Sequence, residues 1–202
     1  MPHYKLTYFP ITALGEPIRF LFHYAGTPFE DERISKDVWP EIKPSTPYGQ
    51  LPVLVIDGKK IAQSTAICRY LAKQYGLAGK DDWEALHIDA TVDTIHDVRH
   101  KLASFHYEQD EKVKATKRKT AEEILPFILE RLDQQVKEND GYFHNGTLSW
   151  ADLTFVALLD YFNFMYKSDL IANYENLKLL EEKVLLLPNI KSWIERRPAN
   201  EY

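Results

Sequence analysis

Three places in this chain carry residue types whose spacing could do chemistry: Tyr8, the stretch Pro47-Tyr48-Gly49-Gln50-Leu51-Pro52, and the pair Gln63-Ser64. A phenol has a pKa of about 10. It can donate a hydrogen bond to an anion and so favour ionisation of a weak acid held against it. Tyr8 closes a short strand signal just before a loop, a position that suits either that task or a place in the core. Ser64 falls where a strand gives way to a helix. Its hydroxyl can cap that helix, or contact a ligand carboxylate with the helix N–H groups adding to the attraction. Gln63 offers an amide beside it, and Trp39, Lys43 and Gln50 flank the same turn region with further donors. Leu51, next to Pro52, has a strand-like backbone with polar groups available to something else. Read plainly, the stretch is a hairpin with a helix cap. Read for chemistry, it is a docking edge for a small, anionic, peptide-like ligand.

These residues need elements to hold them. Residues 5–9 (KLTYF) read as a strand, aromatic and β-branched. Glu16-Pro17 opens a helix with Ile18, Phe20, Leu21 and Ala25 on its apolar side, and Gly26 ends it. Residues 29–34 can form a second strand, which makes a βαβ unit with a parallel pair. Residues 37–41 give a short helical or irregular piece. The apolar run 53–56 is a buried strand, Asp57-Gly58 a tight turn, and 59–62 the return strand. Ile67, Cys68, Tyr70, Leu71 and Tyr75 pattern a further helix stopped by Gly76. The first 77 residues or so are thus β-α-β followed by β-β-α.

Composition then changes. Eight of the eleven prolines precede residue 80. Gly79-Lys80-Asp81-Asp82 reads as a linker, with Asp82 placed to cap a long helix over 83–110. A second helix is expected over 114–138, bent at Pro126. The two should be antiparallel neighbours. Ser149-Trp150-Ala151-Asp152 is a capping box, with Leu148 and Leu153 as its staple, and opens a nearly all-apolar central helix. Asp152 there is structural rather than catalytic. Helices over 174–187 and 189–197 follow, separated by Pro188, and 198–202 is a polar tail.

Bulk properties exclude several classes. The 202 residues carry a formal charge of -5. Residues 1–80 hold 10 basic and 7 acidic side chains, and 81–202 hold 15 and 23. No basic stripe exists for a phosphate backbone, so nucleic acid is not expected as a partner. No apolar run reaches membrane-spanning length, and the first residues lack a secretory apolar core. A single cysteine, Cys68, forbids an intrachain disulfide and suits a reducing, cytoplasmic setting. It falls inside an apolar helix and reads as a small buried hydrophobe. Asp93, His96, Asp97 and His100 share adjacent faces of the long helix. No established metal-ligand spacing accompanies them, and no metal is expected. A carboxylate there could meet a ligand's ammonium group.

The motifs in order carry a resemblance. Tyr8-Phe9, Gly15-Glu16-Pro17-Ile18-Arg19, Trp39, Lys43-Pro44, Gly49-Gln50-Leu51-Pro52-Val53-Leu54, Gln63-Ser64-x-Ala66-Ile67-x-Arg69-Tyr70-Leu71 and Ser149-Trp150-Ala151-Asp152 span the chain. Together they resemble the cytosolic glutathione transferases, in particular the sigma class of insects and other invertebrates, which also contains vertebrate haematopoietic prostaglandin D synthase. The resemblance implies an α/β thioredoxin-like domain over 1–79 and an all-α domain over 83–202 that carries the electrophile site. It implies glutathione as co-substrate, without a required metal, and hydrophobic electrophiles such as lipid-derived enals and aryl halides, with peroxidase activity as a further possibility. Tyr8 would face the glutathione sulfur. Leu51-Pro52 would be a cis-proline element whose residue-51 backbone pairs with the cysteinyl part. Gln63 and Ser64 would hold the γ-glutamyl carboxylate, with Trp39, Lys43 and Gln50 around the glycyl side. Asp97 would reach the γ-glutamyl amine in the partner subunit of a homodimer, and Asp152 would serve folding. Ile11, Leu14 and Phe105 would border the acceptor. Two departures stand out. Leu14 occupies a position where sigma enzymes commonly have arginine, and His96 replaces one carboxylate of the magnesium cluster of the prostaglandin synthase. A prostaglandin D synthase, or a non-catalytic structural or ligand-carrying relative, are the alternative readings.

Overall fold

The computed structural model describes residues 2–200. Two compact units emerge: residues up to Leu77 together with those from Leu185 on, and residues Ala78–Val184.

The first unit is built on a four-stranded sheet of β1 (Tyr4–Tyr8), β2 (Glu30–Arg33), β3 (Val53–Ile56) and β4 (Lys59–Ala62), in the order β2-β1-β3-β4. β1 and β2 run parallel, while β1/β3 and β3/β4 are antiparallel. The parallel pair needs a crossover, and α1 (Glu16–Tyr24) supplies it. Every residue of α1 from Glu16 to Phe22 is buried. Phe22 packs on the Tyr4 ring at 5.1 Å and stacks on Phe29 at 4.5 Å. The helix ends as Gly26 predicts: φ is +62°, Gly26 N–H bonds His23 O and Thr27 N–H bonds Phe22 O, the two bonds of a Schellman motif. The short α2 (Trp39–Ile42) follows β2, and α3 (Ser64–Gln74) follows β4, packing on α1.

The second unit is helical: α4 (Asp82–His106), α5 (Glu111–Glu138), α6 (Trp150–Tyr166) and α7 (Glu175–Leu185). Asp81, not Asp82, caps α4. Its backbone is extended, and its carboxylate accepts the Glu84 N–H at 2.8 Å. α5 begins three residues before the expected 114 because Asp110 takes the N–H groups of Lys112 and Val113 at 2.9 and 3.0 Å. Pro126 lies inside α5, on an exposed position. α5 and α6 both pack on α4. Thirteen of the seventeen residues of α6 are buried, which makes it the unit's core helix. The Ser149/Asp152 capping box is present as the sequence indicates. Among the described residues no helix is long and apolar enough to cross a membrane.

The chain ends back in the first unit. There α8 (Pro188–Arg196) covers the outer side of α1. His23 stacks on Trp193 with ring centroids 4.3 Å apart and meets Phe29 edge-on at 5.4 Å. Burial, helped by the nearby Arg196 charge, lowers its pKa to about 4. A histidine whose folded pKa is depressed stabilises the fold above its unfolded value of about 6.5, and that contribution is lost as pH falls through 6.5 toward 4. His23→Phe keeps the ring packing and removes the proton. Urea titrations at pH 7 and pH 4.5 should therefore show a shallower acid loss in the variant. The difference is on the order of 1–2 kcal/mol, once solvent screening of the half-buried residue is allowed for.

Candidate active site

Strand register brings the predicted residues to one end of the sheet. Thr7 pairs with Val53 across β1/β3, and Val53 pairs with Ala62 across β3/β4. Continuing each register by one residue sets Tyr8, at the end of β1, toward Pro52, just before β3, and Gln63, just after β4. On the other side, Tyr8 pairs with Arg33 of β2.

Tyr8 is buried, 6 % exposed. Its hydroxyl accepts the Leu14 N–H at 3.2 Å. A donor on the phenolic oxygen withdraws electron density and strengthens the O–H as a donor in turn. The loop after β1 turns back over the ring through a single 3-10 turn, Ala13–Gly15. The chain passes so close that a Cβ on Gly15 would stand 2.5 Å from Tyr8 Cδ1. Here glycine is required by the approach and not by its dihedrals. Gly15→Val should push the phenol aside, and a reaction that depends on the place of its hydroxyl should slow about tenfold or more, since small displacements of a reacting group are costly. An unchanged kcat/KM would show that the ring does not need this contact. The Tyr8 ring also meets Phe9 at 5.8 Å, and Phe9 meets the edge of Trp39 at 5.9 Å. An aromatic run thus links two of the predicted residues.

The Leu51-Pro52 peptide bond is cis, as the resemblance implies. Among the described residues, neither the N–H nor the C=O of Leu51 has a hydrogen-bond partner. Both backbone groups are open just before β3 begins. Lys43 starts the 3-10 turn Lys43–Ser45, and its stem lies 3.4 Å from where a Gly49 Cβ would be, so Lys43 and Gly49 are neighbours. Gln50 is exposed beside them.

Ser64 does not cap α3. The N-cap position is Gln63, whose φ of +77° turns the chain into the helix, and Ser64 is the first helical residue. A side chain at such a φ is strained, a cost commonly met at functional sites. Neither Gln63 nor Ser64 spends its side chain on a cap bond. The Ser64 hydroxyl makes no hydrogen bond among the described residues. It sits at the positive end of an eleven-residue helix, where a carboxylate is favoured.

Asp97 is exposed on α4 in the second unit, beside the half-buried His96. Burial lowers the His96 pKa to about 4, so that ring is neutral at pH 7. Among the described residues no group of three or more His, Cys, Asp or Glu side chains is placed to hold a metal ion. Phe105 is buried in the same unit, under the Arg118 guanidinium. Cys68 is buried, and burial pushes its thiol pKa up, away from nucleophilic use. A cavity of about 660 Å³ in the helical unit, with Trp83, His87, Gln135 and His144 in its wall, contains none of the predicted site residues.

One set of residues behind the site is not legible from sequence patterns. Glu16 is fully buried and accepts from Arg19 Nη1 at 3.1 Å, Trp193 Nε1 at 2.8 Å and Arg197 Nη1 at 2.9 Å. Arg19, also fully buried, donates to Ile11 O at 2.8 Å and to both Asp31 oxygens at 3.1 Å. Its guanidinium carbon lies 5.9 Å from the Tyr8 ring centroid. Buried charges of this kind persist only when paired and hydrogen-bonded. Two charged residues inside an otherwise apolar α1 face were the available signal.

Comparison with known proteins places this arrangement. Residues 4–73 match the glutathione S-transferase N-terminal domain and residues 96–197 the C-terminal domain. A glutathione S-transferase of Anopheles gambiae is 49 % identical over 202 residues, covering all of both chains. The human hematopoietic prostaglandin D synthase is 37 % identical over 205 residues, again covering all of both. The solved structure of prostaglandin synthase D of Nilaparvata lugens superposes with a TM-score of 0.93 at 47 % identity, covering 98 % of this chain and 100 % of that one. The chain belongs to the glutathione S-transferase family of enzymes, with that family's N-terminal fold and an all-helical C-terminal domain.

Proposed function

We propose that this enzyme binds glutathione at the Tyr8–Pro52–Gln63 end of the sheet, ionises its thiol, and adds the thiolate to hydrophobic electrophiles such as enals and aryl halides. The observation that carries the reading is the open backbone of Leu51, just before the strand β3 that pairs with β1. A peptide ligand paired with that N–H and C=O extends the sheet edge, as strand addition does elsewhere. Its γ-glutamyl carboxylate then falls to Gln63 and Ser64 at the α3 N-terminus, and its glycyl end to Trp39, Lys43 and Gln50. The sulfur falls to Tyr8. A free thiol has a pKa of about 8.5, and lowering it by two units takes roughly 2.7 kcal/mol of differential stabilisation. One phenolic hydrogen bond, itself backed by the Leu14 backbone amide, is of that order.

The same reading assigns residues 1–79 to glutathione and 83–202 to the electrophile. It assigns a sigma-class, cytoplasmic homodimer in which Asp97 meets the glutathione amine of the partner subunit. No metal takes part in it. The test is conjugation: purified protein, glutathione and an aryl halide or an enal should give the thioether at a rate well above the uncatalysed one. No acceleration with any such acceptor would overturn the reading. A second reading, prostaglandin D synthase, has support from the names of two relatives. Product analysis with the endoperoxide decides it: prostaglandin D formed as the main product would favour the isomerase over the conjugating enzyme.

A further inference from the structure

We propose that the C-terminal segment is a positioning element for the reaction: Trp193, Arg197 and Asn200 hold the loop whose Leu14 amide fixes the Tyr8 hydroxyl. This inference rests on the thiol-activating role given to Tyr8 above. The tail beyond α8 reads from sequence only as polar. In the fold, Asn200 Oδ1 accepts the N–H of the buried Thr12 at 2.7 Å. Thr12 O in turn accepts the N–H groups of Gly15 and Glu16 at 3.1 and 3.0 Å, closing the turn. Glu16 is held from the same C-terminal side by Trp193 and Arg197. Leu14 therefore lies between two anchors, Thr12 and Glu16, each two residues away. Both anchors take bonds from residues nearly two hundred positions along the chain.

The geometry makes the amide sensitive to these anchors. A separation of 3.2 Å is at the long end for N–H···O. A loop shift of a few tenths of an ångström weakens it sharply. The anchors are strong: a charge-assisted pair on a fully buried carboxylate, and a short amide bond at a buried backbone N–H. Removing an anchor leaves Tyr8 in place but loosens the donor on its oxygen. The phenol then gives a weaker hydrogen bond to the sulfur.

The experiment titrates the thiolate absorbance of glutathione bound to five proteins: wild type, Tyr8→Phe, Asn200→Ala, Asn200→Asp and Arg197→Met. Asn200 is the useful position because it is only half-buried and lies outside any helix or strand, so its variants should fold. Asn200→Ala should raise the bound thiol pKa by about half a unit to one unit, a three- to tenfold loss of thiolate below the pKa, with KM for glutathione little changed. Asn200→Asp keeps an oxygen for the Thr12 N–H and should stay close to wild type. Arg197→Met should move the pKa in the same direction as Asn200→Ala. If Tyr8→Phe raises the pKa while Asn200→Ala and Arg197→Met do not, the positioning role is wrong and the role of Tyr8 stands. If Asn200→Asp is as impaired as Asn200→Ala, the Thr12 bond is not the cause and the proposal falls. If Tyr8→Phe itself leaves the pKa unmoved, the thiol-activation reading is what fails.

Discussion

Tyr8→Phe is expected to raise the pKa of bound glutathione by about two units and to lower conjugation near neutral pH roughly 100-fold. The ring is packed between the Ala13–Gly15 turn, Phe9 and the Arg19 guanidinium, so phenylalanine fits the same space. The substitution therefore removes one oxygen and little else. It leaves the Leu14 N–H without its acceptor and, on the proposed reading, takes away the bond to the sulfur. Glutathione affinity, which this reading assigns to Leu51, Gln63 and Ser64, should change far less than kcat. A pH–rate profile of both proteins with an aryl halide checks this: the rising limb moves to higher pH in the variant, and the two rates converge where free thiolate is abundant. Profiles that coincide at every pH would remove Tyr8 from the chemistry.

Asp152→Ala should cost about 3–5 kcal/mol of stability, the largest loss expected from any single polar truncation in the helical unit. The carboxylate is fully buried and accepts three donors: Phe143 N–H at 2.8 Å, Ser149 N–H at 2.7 Å and the Ser149 hydroxyl at 2.8 Å. Alanine leaves all three without an acceptor at the start of the core helix. Burial pushes the Asp152 pKa up to about 6 against the pull of these donors. A carboxyl raised above its unfolded value stabilises the fold fully below that value, and the contribution fades as pH rises through 6. The gap between wild type and variant in urea midpoints should therefore be wider at pH 5 than at pH 7.5. A gap that narrows toward acid would mean that the donors outweigh burial. Unfolding free energies within about 1 kcal/mol of each other at pH 7.5 would mean the box is dispensable.

Local signals carried much of the fold. The turn at Asp57-Gly58, the glycine stops at 26 and 76 and the capping box at 149–152 are short-range chemistry, and each appears where the residues indicate. The misses are of two kinds. Asp81 for Asp82, and Asp110 before α5, are choices between adjacent polar residues that backbone geometry decides. Gln63 is similar: nothing in its type announces a positive φ, and Ser64 is the better cap by composition. The second kind is long-range. Asn200 on Thr12, and Trp193 and Arg197 on Glu16, have no periodic or spacing signature. Side chains that meet across most of the sequence are invisible to a reading made window by window. At the site, Tyr8, Pro52 and Gln63 were legible as residue types, but their adjacency depends on the register of three strands.

The discontinuity of the first unit bears on synthesis. Its sheet and α1 leave the ribosome early, while α8 emerges only after all the helices of the second unit. Until then Glu16 has Arg19 but neither Trp193 nor Arg197, and the outer side of α1 is bare. A nascent chain stopped at residue 79 should thus be a protease-sensitive, incompletely closed species. The first unit reaches its finished state only once α8 has been made.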